Sequence, residues 1–419
     1  MSDAPIQISP AALAAADDDR FHRFRLIEWW DQAKLRNARV LVVGAGALGN
    51  EIVKNLALLG VGNVLIADLD RVENSNLSRS VLYRKQDNGR FKADVAAASA
   101  RDIYPDIVAH AFNGNIVYDL GLGVFHWADV IIGGLDNREA RLSINRNCYR
   151  CSKPWIDGAI QQIDGTARVF IPETHALGRA NTACYECTMS QTDWRLLQLR
   201  RSCNLLSKTE METGKTPTTP TISSIIAGVQ CQEAIKILHG MDTIAGKGWV
   251  FNGITADSYL TEFQRKDACY SHDPLEEIVA MDWSAHTTTA RDALSEARRR
   301  LGAGAELELA RDVLEKLVCP KCGATEELFA SLGNVKAEKA NCPNCPGVRR
   351  EVVTFYKIRG DELFLDRPLA AIGVPAFDIL IARTPERATG LELSADAGNV
   401  LGPLPRTRAV ANEDELEWT

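Results

Sequence analysis

Short apolar runs alternate with longer stretches of helical period through the first two thirds of the chain. Residues 39–43 (Arg-Val-Leu-Val-Val) show no polar alternation after the first position, which predicts a short strand buried on both faces. A glycine turn follows, then a helical pattern to Leu59. Further strands are predicted at 63–68, 107–112 and 129–133, with a helix over 90–103 whose alanines permit close packing. Strands alternating with helices imply a doubly wound, mostly parallel α/β sheet. Beyond Pro154 the pattern shifts to strands at 155–159 and 166–171, a polar segment at 188–220 expected to be a long exposed loop, a helix over 223–238, and strands at 249–252 and 259–263.

A second region follows. Residues 286–301 predict a connecting helix that stops at Gly302-Ala303-Gly304, after which come two cysteine pairs and a strand at 352–358. The expected organisation is an arm at 1–38, a Rossmann-like domain at 39–280 and a smaller α+β module at 281–419 carrying a zinc ribbon. The arm is rich in charge and aromatics (Arg20, Phe21, His22, Arg23, Phe24, Trp29, Trp30).

Charge changes the picture little. The net value of −7 excludes a basic nucleic-acid footprint. No apolar run reaches the roughly 20 residues needed to cross a bilayer. The apolar stretch at 11–16 runs into Asp17-Asp18-Asp19, unlike an export signal. A cytoplasmic protein is expected, and the eleven cysteines agree, since most fall in Cys-x-x-Cys pairs that suit metal in a reducing compartment.

Cys319-x-x-Cys322 and Cys342-x-x-Cys345, nineteen residues apart, have zinc-ribbon spacing. Cys184-x-x-Cys187 and the later Cys269-x-x-His272 can together make a Cys₃His tetrahedron for zinc. Cys148 and Cys151 fall in a predicted helix and are read, like Cys231, as small buried apolar residues.

Gly44, Gly46 and Gly49 form a G-x-G-x-x-G turn between strand and helix, which brings a phosphate to backbone N–H groups. Asp68 closes the next strand, 19 positions after Gly49, where it can accept hydrogen bonds from ribose hydroxyls. These features alone fit an NAD dehydrogenase equally well.

The residues that follow narrow the choice: Asp68-Leu-Asp70, then Asn74-Ser-Asn76-Leu-Ser-Arg79, Lys92, and Leu135-Asp136-Asn137-Arg138 with Arg141. With these motifs in order, residues 20–275 resemble the ubiquitin-activating/MoeB/ThiF superfamily. The resemblance implies a ThiF-type adenylation domain in which Asp68 binds ribose, with Asp70 beside it in the nucleotide site. Asn76, Arg79 and Lys92 would hold the triphosphate of ATP, and Asp136 would ligate Mg²⁺. Arg23 would reach the phosphates of a neighbouring protomer, which implies a homodimer. A structural Zn²⁺ is implied at Cys184, Cys187, Cys269 and His272. Ser80 stands where many relatives carry Gln.

Cys203, preceded by Arg200 and Arg201, has cations that favour a thiolate. In thioester-forming relatives a cysteine in this place precedes a Thr/Pro segment entering a helix, here 216–221. The resemblance therefore implies adenylation of the C-terminal glycine of a ubiquitin-like protein, thioester formation on Cys203 and transfer to a conjugating-type enzyme. Two alternatives remain: a sulfur-carrier adenylyltransferase of the MoeB/ThiF kind, and a non-catalytic nucleotide-binding zinc adaptor. Asp136-Asn137 can also be read simply as a helix cap.

Overall fold

The computed structural model describes residues 20–195, 217–331, 334–335 and 337–406. Cys203 lies outside them. The first sheet contains β1 (Arg39–Val43), β2 (Asn63–Ala67), β3 (Val108–Phe112), β4 (Val130–Gly133), β5 (Trp155–Gln161), β6 (Asp164–Phe170), β7 (Lys247–Phe251) and β8 (Ser258–Glu262), in spatial order β3-β2-β1-β4-β5-β6-β7-β8. Strands β3 to β5 of that order are parallel, and β6, β7 and β8 continue it antiparallel. The chain steps outward from β1 to β3 and then crosses to β4, so the β1/β4 boundary is the switch point where α/β sheets open a crevice at their carboxyl ends.

All five residues of β1 are buried, as their uninterrupted apolar run requires. Val40 and Val42 face a core with the helices Ala47–Leu58, Lys92–Ile103 and Pro220–His239. Leu41 and Val43 face the opposite core, beneath the helices Leu122–Trp127 and Arg138–Arg150. The helix expected at 223–238 begins earlier because Pro220 occupies its first turn behind the Thr219 cap, and it closes on Gly240 at φ 75°. Within the expected 188–220 loop, residues 191–195 are helical. Ser190 and Asp193 cap that turn reciprocally, the Ser190 N–H donating to Asp193 (2.8 Å) and the Asp193 N–H to Ser190 Oγ (3.2 Å).

The second sheet contains β9 (Glu277–Met281), β10 (Glu306–Val318), β11 (Thr325–Ser331), β12 (Glu351–Ile358), β13 (Ile379–Arg383) and β14 (Ala388–Leu393). Its order is β11-β10-β13-β14-β9, with β12 also paired to β10. The helix expected over 286–301 starts at Ala290 instead. Carbonyls of Ala285 and Thr288 are taken by the N–H groups of Ala370 (2.7 Å) and Leu369 (2.9 Å), so that stretch cannot enter the helix, and Thr289 caps it. It is no free connector, since Ala290, Ala293, Leu294 and Ala297 are buried in the second core.

The two sheets share apolar packing. Phe377, Ile379, Ile381, Ala388 and Leu401 belong to the same buried cluster as Leu41, Val43 and Phe125. Backbone meets backbone at the seam: Gly123 N–H donates to Phe377 O (3.0 Å), and a Cβ on Gly121 would stand 2.4 Å from that same oxygen. Arg311 and Asp378 form an ion pair (3.1 Å), both nearly inaccessible. Among the described residues, no helix is long and apolar enough to cross a membrane.

Candidate nucleotide site and metal centres

The glycine turn sits at the carboxyl end of β1. Gly44 has φ +90°, and a side chain there would collide with Gly134 O (2.6 Å). A Cβ on Gly49 would meet Gly44 O at 1.9 Å, so the helix can start only behind a bare residue. Gly46 caps the helix Ala47–Leu58 without a side-chain bond, and a Cβ there would find nothing within 4 Å. The helix start at Gly46 therefore borders open space, as an anion site needs.

Asp68 is fixed beside this opening. Its carboxylate accepts from Ala45 N (2.6 Å) and Asp70 N (2.7 Å). Burial pushes the Asp68 carboxyl above the usual aspartate value, against the opposing pull of Lys92. Lys92 Nζ lies 2.8 Å from Asp70 Oδ2, and Lys92 N donates to Asp70 O (2.9 Å). The structure thus brings together Gly44, Gly46, Gly49, Asp68, Asp70 and Lys92.

The other nucleotide-site candidates stand around this group. Asn76 is buried and closes its own turn by accepting from Glu73 N (3.0 Å). Arg79 is half-buried, and its guanidinium donates to Ser75 O (2.8 Å). Ser80 is buried. Asp136 is exposed just beyond β4, and Asn137 caps the helix Arg138–Arg150 by accepting from Ala140 N (2.7 Å). Capping therefore falls to Asn137, and Asp136 stays exposed just ahead of the helix start.

Arg23 is exposed on the arm, far from the turn in its own chain. Phe21 packs beside Gly60, and Gln32 donates to Leu59 O (2.9 Å). Both contacts lie past the end of the twelve-residue helix Ala47–Leu58, about 18 Å from its start.

Sequence reasoning missed two supports. Asn50, fully buried, donates to Ala45 O (2.7 Å) and Gly46 O (3.0 Å) and accepts from Leu82 N (2.9 Å), which fastens the turn to the 74–83 segment. The signal available was a polar amide directly after Gly49 on an otherwise apolar helix face. Asp157, fully buried on β5, holds both Arg141 (2.9 Å) and Arg168 (2.9 Å). Arg141 also donates to Gly158 O (3.0 Å), which fixes the start of the helix that follows Asp136.

The metal candidates form two compact sets. In the first, Cys184 Sγ is 3.7 Å from Cys187 Sγ and 3.5 Å from Cys269 Sγ, while Cys187 Sγ is 3.5 Å from His272 Nε2. A tetrahedron with Zn–S near 2.3 Å has edges of about 3.8 Å between sulfurs, so the donors fit zinc. Ser271 donates to Glu186 (2.6 Å) and Asn145 donates to Ser271 (2.8 Å), tying this knuckle to the helix Arg138–Arg150. In the second set, Cys319, Cys322, Cys342 and Cys345 place their sulfurs within 4.8 Å of one another, with Cys322 and Cys342 3.7 Å apart. Backbone N–H groups of Cys322 and Lys321 directed at the Cys319 sulfur bring its thiol down to about 6. Cys148, Cys151 and Cys231 are buried, and desolvation raises all three thiols, as inert core cysteines require.

The chain is similar to several known proteins. Human ubiquitin-like modifier-activating enzyme 7 is 37% identical over 158 residues, which are 36% of this chain and 16% of that protein. The sulfur carrier protein adenylyltransferase of Thermus thermophilus is 35% identical over 172 residues, 40% of this chain and 63% of that protein. The chain thus spans less than two thirds of either relative. The crystal structure of E. coli MccB with ATP shares the fold, with a TM-score of 0.51 at 21% identity over 64% of this chain and 77% of that one. The family model described as ThiF family matches residues 19–271, and the chain belongs to that family.

Proposed function

We propose that this chain uses ATP to adenylate the C-terminal glycine carboxylate of a small ubiquitin-like or sulfur-carrier protein. The observation that carries this reading is the placement of Lys92, paired with Asp70 at 2.8 Å, beside Asp68 and the open glycine turn. Hydride transfer does not need Arg79, Lys92 and Asp136 together. Attack of a carboxylate on the α-phosphate joins two anions and needs fixed cationic donors. The carboxylate oxygen bonds to the α-phosphorus, and the bond to the pyrophosphate oxygen breaks.

In this reading the N–H groups behind Gly44, Gly46 and Gly49 bind phosphate and Asp68 binds ribose. Asn76, Arg79 and Lys92 hold the phosphates, and Arg23 arrives from the partner of a homodimer. Asp136 would hold Mg²⁺, which supplies charge neutralisation on the departing pyrophosphate. The two zinc sites are structural. Cys203 then attacks the acyl-adenylate, so that the acyl carbon bonds to sulfur and AMP leaves. The thioester passes to a conjugating-type enzyme. The setting is cytoplasmic, where the thiol ligands stay reduced.

A second outcome for the same adenylate is supported by the Thermus thermophilus relative, which is named for a sulfur carrier. There a sulfide donor would attack the acyl carbon, AMP would leave, and the carrier would be released as a thiocarboxylate. The deciding experiment is ATP–pyrophosphate exchange with a carrier ending in glycine, followed by a non-reducing gel of wild type and Cys203→Ala. Exchange with a thiol-sensitive adduct lost in the variant supports the thioester route. Exchange without an adduct supports the sulfur-carrier route. No exchange with any such carrier defeats adenylation and favours the zinc adaptor.

A further inference from the structure

Tyr118 stands where the two halves of the chain meet. It lies in the 113–121 segment, which leaves β3 at the same carboxyl end of the parallel strands as the glycine turn, Asp68 and Asp136. Its carbonyl oxygen accepts from Arg311 Nη1 (3.0 Å) on β10 and from Ser331 Oγ (3.1 Å) on β11. The neighbouring Asp119 accepts from Asn334 (2.6 Å), and Leu122 N–H donates to Asp378 (2.7 Å), the residue that also pins Arg311. The second sheet therefore grips this segment at several points.

The Tyr118 hydroxyl points the other way. It donates to Glu139 Oε1 (2.8 Å), in the first turn of the helix Arg138–Arg150 and three residues after Asp136. A carboxylate in that turn is drawn to the exposed N–H groups at the helix start. Asn137 already caps that end, and the tether holds Glu139 by its hydroxyl contact; a released Glu139, one helical turn from Asp136, competes with it for a cation.

We propose that Tyr118 is a positioning residue for the Mg·ATP site, through which the second sheet sets the placement of Asp136. This rests on the nucleotide role proposed above. The second sheet is then a brace for the nucleotide site.

The test is calorimetric titration of the full chain with ATP at several Mg²⁺ concentrations, alongside thermal melting. Tyr118→Phe removes the hydroxyl alone. It is expected to weaken Mg²⁺-dependent ATP binding on the order of tenfold while the melting temperature stays at the wild-type value. Glu139→Gln added to that variant is expected to recover most of the loss, because the released charge is gone. Ser331→Ala, acting from the second sheet, is expected to shift binding in the same direction by less. Wild-type binding with an unchanged Tyr118→Phe variant overturns the inference alone. So does a loss that appears equally without Mg²⁺ or that tracks a fall in melting temperature. A wild-type chain that binds no Mg·ATP overturns the proposed function and this inference with it.

Discussion

Lys92 Nζ lies 2.8 Å from Asp70 Oδ2, so the cation assigned to the triphosphate is already held in place before any nucleotide arrives. Preorganised donors are the ones whose loss costs most in turnover. Lys92→Met is expected to lower pyrophosphate exchange by roughly 10²- to 10³-fold while the fold persists. Steady-state exchange together with circular dichroism checks both halves of that statement, and near-normal exchange would remove Lys92 from the phosphate site.

The arm places Arg23 at the far end of the helix Ala47–Leu58 from the glycine turn. If Arg23 serves the partner's site, Arg23→Ala and Lys92→Met should each be inactive alone and regain activity when mixed and allowed to exchange subunits. The mixed dimer contains one site with both residues intact. Two inactive variants that stay inactive after exchange would rule out the in-trans role.

Each of the two compact donor sets has the geometry to hold one zinc ion. Elemental analysis of the purified protein should give about two equivalents and about one for Cys322→Ser, since each set closes separately. Retention of both metals in that variant would mean that the Cys319–Cys345 set is not a metal site.

Asp68 carries a pH signature. Its folded value is raised above the ordinary 3.8, chiefly by burial, and Lys92 holds it lower than burial alone would. Its contribution to stability is therefore complete below 3.8 and declines as pH rises through the folded value. Carboxyl-carbon NMR should find Asp68 titrating above 3.8, and higher still in Lys92→Met. Titration at or below that figure in the folded chain would contradict the geometry.

The shared core predicts joint unfolding. Phe377 is buried against Gly121 and Gly123 of the first half, and Phe377→Ala is expected to cost about 3–5 kcal/mol. Calorimetry should show one transition moving down, with no separate melting of the second sheet. For the same reason a chain cut at residue 281 exposes the Leu122–Trp127 face and is expected to aggregate.

What was legible in the sequence was local. The glycine turn, Asp68 and the cysteine pairs follow from spacing along one or two adjacent elements, and β1 follows from five consecutive buried positions. What was hidden depends on residues far apart. Thr288 looks like helix until Leu369 takes its carbonyl, and Tyr118 looks like a loop aromatic until Arg311, 193 residues later, reaches it. Asp157 carries no motif, and its importance appears only when Arg141 and Arg168 converge on it. Whether residues 188–220 bring Cys203 to the adenylate is decided by the gel experiment.

The glycines at the seam carry a last consequence. With Gly121 and Gly123 lying directly against the Phe377 carbonyl, the gap between the halves is narrower than a single methyl group. No water fits between the two halves at that point. One added carbon at either glycine is a wedge that pushes the half carrying the Cys319–Cys345 set away from the half carrying the glycine turn, without replacing a residue of either.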